Sequence, residues 1–123
     1  MKLCMIGTGY VGLVSGVCFS DVGNTVYCVD NDKKKIERLN QGIIPIYEPG
    51  LDELLKKNKK QKRLTFTTDI KKAVSNSDII FICVGTPTKN NSNSANLKYV
   101  FNVTRQLKKF ISKYKIIITK STV

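Results

Sequence analysis

The stretch MIGTGYVGLVSGVCFSDVG, from Met5 to Gly23, places five glycines among apolar residues close to the start of the chain. Three of these glycines, Gly7, Gly9 and Gly12, have the spacing G-x-G-x-x-G. Such a stretch has two interpretations: the apolar part of a secretory signal, or the first turn and helix of a nucleotide-binding domain. The surrounding sequence distinguishes between them.

Several features of the same stretch disfavour a secretory signal. Its only preceding charge is Lys2, four glycines interrupt the apolar run, and residues 15–17 make a poor cleavage site. No other run approaches the roughly 18 apolar residues of a membrane span. We therefore expect a soluble protein of the cytoplasm that has no membrane partner.

The composition indicates one globular domain with reduced thiols. The chain has 123 residues, 41% of them hydrophobic, which is enough for a single core. Its cysteines, Cys4, Cys18, Cys28 and Cys83, form no C-x-x-C pair, and three of them sit in short apolar runs. Because the chain has no histidine, a Cys/His nucleophile and a histidine metal site within it are excluded. We expect the thiols to pack in the core, without a catalytic role or a metal.

The net charge of +12 raises nucleic acid as a partner. The lysines, however, form local clusters, such as DKKKIER (32–38) and LKKNKKQKR (55–63), on segments that have amphipathic helical spacing. This pattern is typical of solvated helix faces, and no aromatic residues are interleaved as a platform for bases. We predict no nucleic-acid partner, whereas a small anionic ligand such as a dinucleotide fits the charge.

Strands and helices are predicted to alternate along the chain. Apolar runs predict strands over residues 2–6, 25–30, 64–68, 78–85 and 115–123. Periodic segments predict helices from the glycines to Val22 and over 32–42, 51–61, 69–77 and 97–114, with loops at 43–50 and 86–96. This order indicates an α/β fold: a Rossmann-type doubly wound parallel sheet, buried on both faces and truncated before the sixth strand.

The glycine motif has a physical role in such a fold because it follows the first strand and opens the first helix. Gly7 permits a tight turn, Gly9 removes the side chain where a pyrophosphate approaches the backbone, and Gly12 lets the helix pack closely. The helix N-terminus offers N–H groups to the phosphates. We therefore predict a dinucleotide site here, and assign Gly16 and Gly23 to helix packing and helix ending.

Asp30 ends the second predicted strand, 18 residues after Gly12. A carboxylate at this position accepts hydrogen bonds from the adenosine ribose hydroxyls and repels a 2′-phosphate, which favours NAD over NADP. The alternative is that Asp30 caps the following helix. The adjacent lysines also leave open that the site tolerates a 2′-phosphate.

Two further loops are expected near the ligand. GTPT (85–88) and KSTV (120–123) follow the fourth and fifth strands, and ligands of open α/β sheets bind beyond the carboxyl ends of the strands. Their hydroxyl and backbone groups are suited to positioning ribose and nicotinamide. Taken alone, GTPT would equally be a simple turn.

Six segments together resemble the N-terminal domain of the nucleotide-sugar dehydrogenases, in particular of the UDP-glucose 6-dehydrogenase family. They are IGTGYVGLVSG, VDNDKKKIERLNQG, PIYEPGLDELL, FICVGTPT, ANLKYV and KSTV, and they extend over essentially the whole chain. The most specific is PIYEPGLDELL, which a generic dinucleotide fold does not require. Its tyrosine, Tyr47, is more similar to the UDP-glucose enzymes than to the GDP-mannose or UDP-N-acetylmannosamine relatives.

The resemblance implies which residues contact the cofactor NAD. They belong to the glycine turn, the end of the second strand, a basic position beside it, and the two later loops. The implied residues are Gly7, Thr8, Gly9, Tyr10, Val11, Gly12, Asp30, Lys35, Val84, Gly85, Thr86, Pro87, Thr88, Ser121, Thr122 and Val123.

The resemblance also implies an enzyme that oxidises the C6 hydroxyl of UDP-glucose to a carboxylate in two NAD-dependent steps, giving UDP-glucuronate. In that family the catalytic cysteine lies downstream with its lysine and Asp/Asn partners, and none of the four cysteines here matches it. Residues 1–123 are therefore expected to be an incomplete N-terminal dinucleotide-binding domain, inactive alone. The central helical and C-terminal substrate domains would complete an enzyme that is a homo-oligomer.

Two departures and two alternatives accompany this interpretation. KNNSNSAN (89–96) replaces a loop that is commonly acidic or glycine-containing, and Asn96 stands where an aspartate is usual, so the loop conformation is open. One alternative is a dehydrogenase for GDP-mannose or UDP-N-acetylmannosamine. The other is a regulatory NAD-sensing module, which would share the glycines and Asp30 but would not require PIYEPGLDELL.

Overall fold

The computed structural model describes residues 1–85 and 97–120. Its elements follow in the order β1 (Lys2–Ile6), α1 (Tyr10–Asp21), β2 (Thr25–Val29), α2 (Lys33–Asn40), α3 (Leu51–Lys60), β3 (Leu64–Thr67), α4 (Ile70–Ser75), β4 (Ile79–Ile82), α5 (Lys98–Phe110) and β5 (Ile116–Thr119).

Every predicted strand and helix is present, and the differences are in their ends. The fourth strand ends at Ile82 rather than at residue 85, and the last helix ends at Phe110 rather than at residue 114. Segment 43–50 has no regular structure, as predicted from its prolines. The predicted end of the fifth strand, residues 121–123, lies outside the described residues.

The five strands form one parallel sheet in the order β3-β2-β1-β4-β5. Met5 in β1 aligns with Cys28 in β2 and with Phe81 in β4, which fixes the register on both sides of the first strand. The chain leaves β1 towards β2 and β3, and later returns to place β4 on the other side. The carboxyl ends of β1 and β4 therefore flank the position where the order of the strands reverses, as in the predicted Rossmann-type fold.

Two apolar clusters pack on the opposite faces of the sheet. One includes Leu13 and Val17 of α1, and the other includes Val74 of α4 and Leu107 of α5. Gly16 brings α1 close to the sheet, because a Cβ there would lie 2.7 Å from the Cys28 Sγ. The helix-packing role predicted for Gly16 is thereby confirmed.

The ends of two helices and the buried face of a third are built as their sequences predict. The Asp69 carboxylate accepts from the backbone N–H of Lys72 at 3.1 Å, so it caps α4. Gly23 follows α1 with a φ of +108°, a left-handed conformation that favours glycine. Leu51 and Leu55 are buried along one face of α3, while Lys56 and Lys57 on its other face are exposed. The lysines on this face of α3 are therefore solvated, as predicted for the cluster at 55–63.

Two predictions about burial are wrong. Ile116–Ile118 in β5 are 38–46% exposed, and neither apolar cluster includes a residue of β5. In the described sheet β5 pairs only with β4, and the helices pack mainly on β1, β2 and β3. Cys18 is also exposed, because it lies on the face of α1 that points away from the sheet.

Among residues 1–85 and 97–120, none of the helices is both long enough and apolar enough to cross a membrane.

Candidate functional site

A cleft of about 760 Å³ opens at the carboxyl edge of the sheet, beyond β1, β2 and β4. Nine predicted site residues line it: Gly7, Thr8, Gly9, Tyr10, Val11, Asp30, Lys35, Val84 and Gly85. Gly12 does not reach the cleft. The predictions for Thr86, Pro87, Thr88, Ser121, Thr122 and Val123 fall outside the described residues.

Gly7 and Gly12 form the tight turn that ends β1 and starts α1. Gly7 has a φ of +104°, and its N–H donates to the Val29 carbonyl oxygen at 2.7 Å. A Cβ on Gly12 would overlap the Gly7 carbonyl oxygen and would lie 3.2 Å from the Cys83 Cβ. Gly12 thus allows the helix to approach its own preceding turn and the end of β4.

The N-terminus of α1 lies at the cleft and has no side-chain cap among the described residues. Its N-cap is Gly9, which offers no side-chain cap, and the first turn contains no acidic residue. Asp32 and Asp69 cap α2 and α4, whereas α3 and α5 also lack a side-chain cap. Only the N-terminus of α1 among these three uncapped helices lies in the glycine turn of the cleft. A helix leaves its first N–H groups without intrahelical acceptors and carries a positive dipole end there. This end of α1 is therefore suited to a phosphate.

Gly9 is open to the cleft rather than enclosed by protein. A Cβ at Gly9 would have no heavy atom within 4 Å, apart from its chain neighbours and its own helix backbone. The φ of −72° and ψ of −167° are accessible to any residue. Neither packing nor backbone conformation among the described residues requires glycine at this position. The remaining physical reason for a glycine is that a side chain would take up space needed by a ligand.

Asp30 lies just beyond β2, with its carboxylate held from two sides. Its Oδ2 accepts from the N–H of Thr8 at 3.0 Å and from the Thr8 Oγ1 at 2.6 Å. Its Oδ1 accepts from the N–H of Asp32 at 3.0 Å. The cap of α2 is Asp32, whose Oδ1 accepts from the N–H of Lys35 at 3.1 Å. The alternative in which Asp30 caps this helix is therefore wrong.

The charge of Asp30 is stabilised within the cleft. Burial opposes ionisation of this carboxyl group, but the hydrogen bonds from Thr8 and Asp32 and the charge of Lys35 outweigh it, so its pKa is lowered. The Lys35 Nζ lies 3.9 Å from Asp30 Oδ2. The cleft thus presents a fixed negative charge beside an ammonium group at the end of β2.

Sequence reasoning missed several residues that line the cleft. One face of α5 contributes Tyr99, Asn102 and Gln106, and Arg105 lies beside them. The spacing of three and four residues along the helix was visible, but it did not show which face turns towards the sheet edge. Lys120, the first residue of the KSTV stretch that is expected near the ligand, also lines the cleft, and its Nζ donates to the Ser15 Oγ at 3.1 Å.

The segment 43–50 reaches the glycine turn through one side-chain contact. The Tyr10 hydroxyl donates to Glu48 Oε2 at 2.8 Å. The hydrogen bond to Glu48 and the charge of that carboxylate raise the pKa of Tyr10. Glu48 belongs to PIYEPGLDELL, so the most specific segment of the sequence lies beside the first helix of the cleft.

The buried thiols are poor nucleophiles. Burial raises the pKa of Cys4 to about 12 and that of Cys83 to about 11, and Cys28 shifts in the same direction for the same reason. A thiol reacts as its thiolate, so these side chains stay in the unreactive form near neutral pH. In the part of the chain that the structure describes, no group of three His, Cys, Asp or Glu side chains could hold a metal ion.

Comparisons with known proteins agree with this geometry. A sequence model of the "UDP-glucose/GDP-mannose dehydrogenase family, NAD binding domain" matches residues 1–123. UDP-glucose 6-dehydrogenase from Rhizobium meliloti (strain 1021) is 51% identical over 100% of the chain, which covers 28% of that relative. UDP-glucose 6-dehydrogenase TuaD from Bacillus subtilis (strain 168) is 52% identical over 99% of the chain, which covers 26% of it.

A solved structure is similar over the same range. A ternary complex of GDP-mannose dehydrogenase from Pseudomonas aeruginosa superposes with a TM-score of 0.95 at 44% sequence identity. This match covers 100% of the chain and 29% of that structure. The chain thus spans somewhat more than a quarter of the length of the proteins it matches. It belongs to the UDP-glucose/GDP-mannose dehydrogenase family, and it is the NAD-binding domain of that family.

Proposed function

We propose that this chain is the cofactor domain of a UDP-glucose 6-dehydrogenase, which converts UDP-glucose to UDP-glucuronate. The observation that carries the cofactor part is the Asp30 carboxylate, held ionised beside the uncapped N-terminus of α1 in one cleft. The substrate part is supported by identities of 51% and 52% to two UDP-glucose 6-dehydrogenases.

The residues of the cleft fit NAD in three respects. The open space at Gly9 admits a pyrophosphate close to the backbone, and the N–H groups of α1 can donate to it. Asp30 Oδ1 accepts one N–H, from Asp32, which leaves it capacity for a ribose hydroxyl. Lys35 and Lys120 add positive charge along the same cleft.

In the proposed reaction, bound NAD⁺ supplies the oxidant: two hydrides leave C6 in two steps, and water provides the second carboxylate oxygen. In this proposal the chain itself binds the cofactor and orients it. Asp30 holds the adenosine ribose, and the first turn of α1 balances the phosphate charge. Val84 and Gly85, at the end of β4, line the cleft where the strand order reverses, and we assign the nicotinamide side to this region.

The sugar chemistry needs groups that we do not assign to this chain. Cys4, Cys28 and Cys83 are buried with raised pKa values, and Cys18 does not line the cleft. We propose that a catalytic cysteine and the sugar site are supplied by central helical and C-terminal substrate domains, in a homo-oligomeric enzyme of the cytoplasm. The 123-residue chain alone is expected to bind NAD without oxidising UDP-glucose.

The cofactor assignment is tested by titrating the chain with NAD, NADP and duplex DNA at physiological salt, using calorimetry. We expect NAD to bind in preference to NADP, because Asp30 repels a 2′-phosphate. Asp30→Ala removes a charged acceptor, so NAD affinity should fall about tenfold while the preference for NAD over NADP narrows. Tight DNA binding without a response to NAD, or an unchanged NAD/NADP ratio in Asp30→Ala, would contradict the assignment.

The substrate assignment is tested in the complete enzyme that carries this domain. UDP-glucose should be oxidised with two NADH formed per sugar, and GDP-mannose and UDP-N-acetylmannosamine should be turned over far more slowly. The GDP-mannose arm is essential, because a similar solved structure, at 44% sequence identity, is a GDP-mannose dehydrogenase. Faster turnover of GDP-mannose would replace the proposed substrate but leave the cofactor assignment intact.

A further inference from the structure

Thr8 has an unexpected place in the cofactor cleft. It lies in the turn between β1 and α1, yet it is only 1% exposed. Its N–H and its Oγ1 both donate to one oxygen of Asp30, at 3.0 and 2.6 Å. A hydroxyl has a single proton to donate, so its donor capacity is used by Asp30. The Thr8 side chain therefore acts on a carboxylate rather than on a ligand in the cleft.

The two oxygens of Asp30 consequently differ in what they can accept. Oδ2 takes both donors of Thr8 and lies 3.9 Å from the Lys35 Nζ. Oδ1 takes the N–H of Asp32. Anchors on both oxygens fix the plane of the carboxylate, and the remaining acceptor capacity is concentrated on Oδ1.

We propose that Thr8 is a positioning residue that sets the preference for NAD over NADP by fixing Asp30. This inference rests on the proposed role of Asp30 at the adenosine ribose. A carboxylate that cannot rotate stays where a 2′-phosphate would have to sit. When the Thr8 hydroxyl is absent, Asp30 can turn away, and both its alignment with the ribose and its repulsion of the phosphate weaken.

The surroundings of Asp30 make this positioning consequential. Lys34, Lys35 and Arg38 line a neighbouring recess of about 390 Å³ on the α2 side. These cations would attract a 2′-phosphate. Asp32 lines the same recess, but its Oδ1 accepts from the N–H of Lys35, whereas Asp30 is the carboxylate that lines the cofactor cleft at the end of β2. Discrimination between the two cofactors therefore depends largely on the orientation and ionisation of Asp30, and the Thr8 hydroxyl contributes to both.

The test is the variant Thr8→Val, which removes the hydroxyl but keeps the shape of the side chain and the backbone N–H. NAD affinity is expected to fall about three- to tenfold, the effect of one lost hydrogen bond, while NADP affinity is maintained or rises. Carboxyl NMR titration without cofactor should show a higher pKa for Asp30, because the hydroxyl lowers it. Thr8→Ser, which keeps the hydroxyl, should retain the wild-type ratio of NAD to NADP affinity and the wild-type pKa of Asp30.

The proposal is overturned if Thr8→Val lowers the affinities for NAD and NADP equally and leaves the pKa of Asp30 unchanged. A general structural role of Thr8 predicts that result. If Thr8→Val does not fold, Thr8→Ala is measured with and without Asp30→Ala. Thr8→Ala should narrow the NAD/NADP ratio only while Asp30 is present; an equal change in both backgrounds overturns the proposal. If Asp30→Ala alone leaves the ratio unchanged, the proposed function fails instead, so the two failures are distinguishable.

Discussion

Gly9→Ala is expected to lower the affinity of the chain for NAD by roughly a hundredfold, equivalent to about 2.7 kcal/mol, while leaving the fold intact. Gly9 lines the cleft, and apart from its chain neighbours no heavy atom lies within 4 Å of the position of the added Cβ. That space is the position we assign to the pyrophosphate. A methyl group there keeps the phosphates away from the N–H groups of α1, so both the contacts and the favourable dipole interaction are lost.

The stability of Gly9→Ala should remain close to that of the wild type. Alanine is a poorer N-cap than glycine, by up to about 1 kcal/mol. Alanine also reduces the conformational entropy of the unfolded chain, and this stabilises the folded state by roughly 0.4–1 kcal/mol and offsets the loss at the N-cap. Thermal unfolding and calorimetric titration of the same sample separate these effects. A variant that binds NAD as the wild type does would remove Gly9 from the proposed phosphate site.

Gly23→Ala is the matched control for this experiment, because Gly23 lies at the other end of the same helix. Its φ of +108° is unfavourable for alanine, so the free energy of unfolding of the variant should be lower by about 1 kcal/mol or more. Gly23 does not line the cleft. NAD affinity should therefore be unchanged at temperatures where the variant is folded, the reverse of the result expected for Gly9→Ala.

Gly12→Ala is expected to destabilise the fold by about 3 kcal/mol or more, at the upper end of the usual cost of overpacking. The new Cβ would overlap the Gly7 carbonyl oxygen, which is backbone and cannot rotate away like a side chain. Gly7 itself is held by its hydrogen bond to Val29 at 2.7 Å. Relief of the overlap requires α1 to move away from the turn, and this would disturb the packing of the helix on the sheet.

Denaturant unfolding measures this effect, and Gly16→Ala provides the comparison. The Gly16 Cβ would meet the Cys28 Sγ at 2.7 Å and the Met5 Cγ at 3.2 Å, which belong to side chains. We expect a smaller loss of unfolding free energy than for Gly12→Ala, because side chains adjust more readily than backbone. An unfolding free energy equal to that of the wild type in Gly12→Ala would show that the turn is more adaptable than its geometry indicates.

The sequence predicted the structure best where the backbone conformation or a helix end favours one type of residue. Gly7 is required by a positive φ, and Asp69 caps a helix; both are decided by a few neighbouring residues, so their patterns could be read directly. The position of Asp30 at a strand end followed from the same kind of local spacing. The family resemblance, which drew on six short segments along the chain, was confirmed by the family model that matches residues 1–123.

Features that depend on distant parts of the chain could not be predicted. The contact of Tyr10 with Glu48 joins residues 38 positions apart. The face of α5 that meets the cleft depends on how this helix packs over β4. The exposure of β5 is equally non-local: its three consecutive isoleucines, Ile116–Ile118, resemble those of an inner strand, and only the strand order shows that β5 pairs with β4 alone in the described sheet.

Because β5 contributes backbone hydrogen bonds but little burial, it is the strand whose local opening should require the least free energy in the described sheet. Lys120 follows it directly, with its N–H bonded to the Ile82 carbonyl oxygen and its Nζ to Ser15. Each brief opening of β5 would carry an ammonium group out of the cofactor cleft. Amide hydrogen exchange along β5 therefore measures how readily the strand that precedes Lys120 opens.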